Sequence, residues 1–112
     1  MFREIIFYQS HFTDFYQKQD EKVKSKIKYT LDLIRQVERV PEKFLKHMIG
    51  YNGLYEIRVE QGSNIYRIFC CFDNDRLVVL FNAFQKKTQK TPRQESDKAV
   101  RLKRRIFKVA EK

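Results

Sequence analysis

Glu56, Arg58 and Arg67 are the first residues of this 112-residue chain whose types and spacing could do chemistry. Glu56 and Arg58 stand two apart in Leu54-Tyr55-Glu56-Ile57-Arg58-Val59-Glu60. In a strand they share one face with Leu54 and Glu60, while Tyr55, Ile57 and Val59 take the other. The Glu/Arg face reads as the wetter one. Arg67, within Ile65 to Phe72, shares its side with Ile65, Phe69 and Cys71. A guanidinium in the middle of such an apolar strand needs solvent, a carboxylate partner or a bound anion. An Arg67–Glu56 ion pair across strands and an anion site both meet that need.

A second cluster follows Phe84, where Gln85-Lys86-Lys87-Thr88-Gln89-Lys90-Thr91 sets three lysines and two hydroxyls ahead of a helix. A helix N-terminus is itself an anion site, so the segment suits phosphate oxygens, with a solvated loop as the alternative. No glycine-rich phosphate loop accompanies it. The only histidines are His11 and His47; His47, just before a strand, is an acid/base candidate, and His11 reads as a capping or packing residue. No Ser/His/Asp or Cys/His constellation has spacing support, which disfavours a conventional hydrolase. Cys70 and Cys71 are neighbours, poorly placed for a mutual disulfide, and read as packing residues of a reducing compartment. Asp73 and Asp75 read as turn formers, so no metal site is expected.

The elements that must position these residues follow from periodicity. Glu4 to Tyr8 reads as a strand, and Phe12, Phe15 and Tyr16 as a short helix. Asp20 is the expected N-cap of a longer helix whose stripe is Val23, Ile27, Leu31, Ile34 and Val37, with an end before Pro41. A loop or turn through Lys46, His47, Gly50 and Gly53 follows. Strands at Leu54 to Glu60, Ile65 to Phe72 and Leu77 to Phe84, joined by short connectors, then form an antiparallel meander. Thr91-Pro92-Arg93-Gln94 has capping-box form and starts a last helix with Ala99, Leu102, Ile106 and Val109 inward. The fold class is α+β, in the order βααβββα, with one domain over residues 1–112 and helices packed on the sheet.

Ten Phe and six Tyr supply a core for one domain. No segment approaches the ~20 apolar residues of a membrane span, and Met1-Phe2-Arg3-Glu4 does not open a signal peptide. A cytoplasmic protein with no membrane partner is expected. The net charge is +10, and it is uneven: from Gln85 to Lys112 eleven basic residues face three acidic ones, so +8 lies beyond Phe84. This excess divides into the lysine loop and a basic helix behind it, and points to a polyanionic partner.

Three segments together resemble the HigB-type branch of the RelE/ParE toxin superfamily, including its phage-derived members. They are Gly53-Leu54-Tyr55-Glu56-Ile57-Arg58, Ile65-Tyr66-Arg67-Ile68-Phe69, and the run from Val79 to Pro92 that contains Phe84-Gln85-Lys86-Lys87-Thr88-Gln89-Lys90-Thr91-Pro92. The resemblance covers the chain in element order and implies a RelE-like microbial RNase fold. It also implies the toxin of a type II toxin–antitoxin pair, an endoribonuclease that cuts messenger RNA on the ribosome and so inhibits translation. Arg58 then falls on a basic strand position of the active face, Arg67 on a phosphate-binding or catalytic arginine, and Lys86 and Lys87 on a basic pair that stabilises transition-state charge. The sequence departs from the family at Asn82, where many relatives carry histidine, and at Val109-Ala110-Glu111-Lys112, where some carry a catalytic Tyr or His.

Cleavage through the RNA's own 2′-OH needs no metal and no cofactor: the protein must align the oxygen, accept its proton, neutralise the phosphorane and assist the leaving 5′-oxygen. Glu56 is the first candidate for proton acceptor and His47 the second. Lys90, Arg93, Arg101, Arg104 and Arg105 are candidate RNA-binding residues. The implied partners are the ribosome, mRNA and a cognate antitoxin of helix-turn-helix type. A ParE-like toxin acting on DNA gyrase without nuclease activity, and an inactive basic RNA- or antitoxin-binding module, are the alternatives.

Overall fold

Asp20 begins the longest element of the N-terminal half as the sequence requires: its carboxylate accepts a hydrogen bond from the Val23 amide at 2.9 Å. The helix behind it buries Val23, Ile27, Thr30, Leu31 and Ile34. A computed structural model describes residues 2–51, 53–74, 77–86 and 92–110, with backbone only at Leu77 and 106–110. The elements are β1 (Glu4–Phe7), α1 (His11–Gln17), α2 (Glu21–Gln36), β2 (Leu45–His47), β3 (Tyr55–Gln61), β4 (Asn64–Asp73), β5 (Leu77–Lys86) and α3 (Arg93–Ala110). The class is α+β, as expected, with one strand more than the sequence suggested.

α2 stops at Gln36, well ahead of Pro41, because Val37 is already extended (φ −98°, ψ 129°). The exposed carbonyls at that end are taken up by the N-terminal segment. The amides of Phe2 and Arg3 both donate to Arg35 O. The Arg3 guanidinium donates to the carbonyls of Ile34, Val37 and Glu38. A cation on the negative end of a helix dipole, with three acceptors, combines two stabilising effects. Arg3→Ala is therefore expected to lower the unfolding free energy by about 2 kcal/mol in urea titrations, with Arg3→Lys intermediate because an ammonium lacks the planar fork.

The sheet is mixed, in the order β1-β5-β4-β3-β2. β3, β4 and β5 form the expected antiparallel meander, and β1 joins its edge parallel to β5, pairing Glu4 with Leu77 through to Phe7 with Leu80. The β3–β4 hairpin closes at Gln61 and Asn64 over Gly62-Ser63, with Gly62 at φ +63°, a conformation that favours glycine. The β4–β5 turn has Asn74 at φ +58°; the expected turn residue Asp75 lies outside the described residues.

α1 and α2 cover one face of the sheet, over Ile57, Val59, Tyr66, Ile68, Cys70, Val78 and Leu80. α3 covers part of the other, over Leu54, Phe69, Cys71, Val79 and Phe81, through Ala99 and Leu102. The remaining expected stripe residues of α3, Ile106 and Val109, have side chains outside the described set, as does the expected cap Thr91. Pro92 stands just before the first helical residue, and its carbonyl accepts from the amides of Glu95 and Ser96. Cys70 and Cys71 are both buried and free, one on each face. Burial raises both thiols, Cys71 to about 11, which keeps them as unreactive packing groups at neutral pH. Among the described residues no helix is long and apolar enough to cross a membrane.

Candidate functional site

The part of the second sheet face beside α3 carries the charges. Arg58 on β3 stands directly opposite Arg67 on β4, an arrangement that repels by itself. Glu56, one pleat along β3, relieves it: its Oε1 lies 3.2 Å from Arg67 Nε and 3.5 Å from Arg58 Nε. One carboxylate oxygen thus serves two guanidiniums. Neither buried Nε–H has a further acceptor among the described residues. Glu56 and Arg67 are 5% and 4% exposed, so the face expected to be the wetter one is dry at its centre. Phe69, opposite Glu56 and fully buried, excludes water there, and only Arg58 remains partly open. Burial pushes Arg67 below its ordinary value, opposed by the field of Glu56 and reinforced by that of Arg58.

Lys86 reaches this face through an irregularity of β5. Ile68 pairs with Ala83 and Cys70 with Leu80, so Phe81 and Asn82 together oppose the single residue Phe69. Such a bulge reverses the alternation beyond it. Val79 and Phe81 pack under α3, Ala83 turns to the α1/α2 side, and Phe84 returns to α3. Lys86 pairs with Ile65, which shares Arg67's side. Without the extra residue Lys86 would point to the opposite face.

Asn82 fixes the bulge to α3: its Nδ2 donates to Glu95 O at 3.1 Å and Glu95 Oε1 at 3.0 Å. This position, where the family resemblance called for histidine, is 2% exposed and ties strand to helix.

Burial, then the field of Arg67, lowers the Lys86 ammonium below the ordinary lysine value of 10.5; Glu56 opposes and Arg58 adds. The protonated form is the one that binds anions, so affinity is lost as pH rises through that lowered value. Sulfate keeps its charge across this range and is a clean probe. Its affinity is expected to begin falling below pH 10.5, and Lys86→Arg is expected to move the fall upward, as calorimetry at a series of pH values would show.

The sequence reading missed Lys46. The chain at Leu45–His47, where the sequence suggests a loop or turn, is strand β2, and its register sets Lys46 opposite Glu56 and His47 opposite Tyr55. Three residues are too few for a period-two signal, which is why the strand was not legible. Lys46, His47, Met48, Ile49, Glu56 and Arg58 line a cleft of about 150 Å³. His47 borders it, yet its exposed ring packs edge-on against Tyr55 at 5.1 Å, and Tyr55 belongs to the α1/α2 side. The structure therefore brings Glu56, Arg58, Arg67, Lys86 and Lys46 together and turns His47 away from the carboxylate.

Lys87 and Lys90 lie outside the described residues. Arg93, Arg101, Arg104 and Arg105 are exposed along α3, with Arg93 Nε 4.0 Å from Asp97, and they form no part of the buried cluster. Among the described residues no group of three or more His, Cys, Asp or Glu is placed to hold a metal ion. The arrangement's chemistry is that of cations in surplus over the carboxylates of Glu56 and Glu60: it can bind an anion and stabilise growing negative charge.

No curated protein matches the chain in sequence. Among solved structures, a chain in the crystal structure of the RelB–RelE antitoxin–toxin complex from Methanococcus jannaschii shares the fold at a TM-score of 0.54 and 16% identity, over 78% of this chain and 99% of that one. The family model described as phage-derived protein Gp49-like (DUF891) matches residues 14–104, which include the bulge, Lys46 and the whole charged cluster. With the fold and the length of that match agreeing, the chain belongs to the phage-derived Gp49-like family.

Proposed function

We propose that this protein is the toxin of a type II toxin–antitoxin pair and acts as a ribosome-dependent endoribonuclease on messenger RNA. The observation that carries the reading is the group of Lys46, Arg58, Arg67 and Lys86 around Glu56 on the sheet face beside α3. Four cations against Glu56 at the centre and Glu60 farther along β3 still leave positive charge for a phosphate to neutralise. The likeness to a chain of an antitoxin–toxin complex supports an antitoxin partner, which we take to be of helix-turn-helix type, besides the ribosome and mRNA.

In this reading the RNA's 2′-oxygen attacks the adjacent phosphorus, the bond to the 5′-oxygen breaks, and a 2′,3′-cyclic phosphate forms. Arg67 and Lys86 donate to the non-bridging oxygens as charge grows on the phosphorane. Lys87, which lies outside the described residues, is proposed from the sequence to act with them, and Lys86, whose proton affinity burial lowers, is suited to pass a proton to the leaving 5′-oxygen. Glu56 holds the two arginines and is the proposed acceptor of the 2′-OH proton. Arg93, Arg101, Arg104, Arg105 and Lys90 grip the ribosomal or messenger RNA backbone.

The test is a translating extract with purified protein, followed by mapping of mRNA ends. Cuts within the codon in the ribosomal A site, ending in a cyclic or 3′-phosphate, are expected. Intact mRNA under those conditions overturns the nuclease reading, and gyrase-dependent DNA damage with intact mRNA replaces it with a toxin of the ParE kind.

A further inference from the structure

A second, larger cleft lies around the edge of β3, away from α3. β2 pairs only with Tyr55, Glu56 and Ile57, and past Arg58 that edge is uncovered by any described strand. The space there measures about 330 Å³ and is lined by Lys26 and Thr30 of α2, Lys43 and Phe44 before β2, and Arg58 and Glu60 of β3. Three cations face one carboxylate. Among the described residues neither Lys26 nor Lys43 has a carboxylate within 4.0 Å. Each ammonium instead lies over a ring, Lys26 at 5.4 Å from Tyr29 and Lys43 at 5.0 Å from Phe44. Arg58 lines this cleft and the one beside Glu56 as well. Among the described residues it is the one that lines both, so the two spaces adjoin at Arg58.

We infer that this cleft binds a backbone phosphate of the same single-stranded RNA, adjoining the scissile one, with Lys26, Lys43 and Arg58 as its cations. The inference rests on the nuclease reading and extends it to how the strand is held. From Arg67 on β4 across Arg58 on β3 to the uncovered edge is about two strand spacings, roughly 10 Å, a span that an extended strand of one or two nucleotides bridges. Cations beside a part-buried aromatic ring, Phe44, are what single strands use for backbone and base together. An acidic peptide would also find the cations, but it lacks the bases that would stack on Phe44.

The experiment measures binding of an all-2′-O-methyl RNA oligonucleotide, which cannot be cut through its own 2′-oxygen, at several salt concentrations. Lys26→Ala/Lys43→Ala is compared with Lys22→Ala/Lys28→Ala, which removes the same charge from exposed positions of α2 that do not line the cleft. The cleft variant is expected to bind roughly tenfold more weakly and to lower the slope of log K against log salt by about 1.4, the value for two lost phosphate contacts on a single strand. Equal behaviour of the two variants overturns the inference while leaving the nuclease reading intact. Loss of a glutamate-rich peptide's binding with RNA binding unchanged also overturns it. Wild-type protein that binds no RNA, with or without ribosomes, overturns both.

Discussion

Arg67→Ala is expected to reduce mRNA cleavage on ribosomes by about 100-fold or more, the scale of removing a pre-aligned transition-state donor. Arg67 is the best-fixed cation of the site. It is 4% exposed, donates from Nη1 to Tyr66 O at 3.1 Å, and lies 3.2 Å from Glu56. Its desolvation makes it costly in the free protein. An arriving phosphate returns part of that cost, and the transition state, with more charge on its oxygens, returns more. Differential binding of this kind lowers a barrier. The fold should tolerate the change, because Glu56 keeps Arg58 as partner and the repulsion between opposed guanidiniums disappears. Thermal unfolding of the same variant checks this. Arg67→Lys should fall between, having charge without the two-pronged donor. Wild-type cleavage by Arg67→Ala would reduce Arg67 to a structural partner of Glu56.

The opposite balance is expected at Glu56. Glu56→Ala leaves Arg58 and Arg67 facing each other across the strands with their shared counter-charge gone, in a place where Glu56 itself was 5% exposed. Removing one member of a buried ionic group costs about 3 to 5 kcal/mol, and the partial exposure of Arg58 puts this case near the lower figure. Urea unfolding should register the loss. If the cost comes from the unshielded arginines, Glu56→Ala/Arg58→Ala should recover a large part of it, giving a coupling above ~1 kcal/mol in a double-mutant cycle. Simple additivity would mean that Glu56 stabilises the fold through contacts other than the arginine pair. Glu56→Gln separates positioning from proton acceptance: it keeps an acceptor near both guanidiniums, so a collapse of cleavage without a matching loss of stability would identify Glu56 as the base.

Much of the frame was legible in the chain. Asp20 announced α2 because a cap is a contact over three residues, and Tyr55, Ile57 and Val59 announced their face because strand parity is local. The same parity placed Glu56 with Arg58 and Arg67 with Phe69, so the pairing of opposite charges could be anticipated. The end of α2 was legible only as lying before Pro41; its place at Gln36 was not, because the carbonyls there are closed by Arg3, more than thirty residues away in sequence.

The site was legible only in part, for similar reasons. Alternation from Leu77 gives no hint that β5 carries an extra residue at Phe81-Asn82, and that residue decides the face on which Lys86 stands. β2 is too short to show a period, and its register decides that Lys46, rather than His47, meets Glu56. The dryness of the centre depends on Phe69 and the neighbouring strands and not on Glu56 or Arg67 themselves. Sequence by itself determined which residues could be charged, capped or buried along each element, since those properties depend on near neighbours. Register, bulge and edge pairing were decided by tertiary structure alone, because they arise from contacts between strands distant in the chain, and they turn a global excess of positive charge into a site with one carboxylate at its centre.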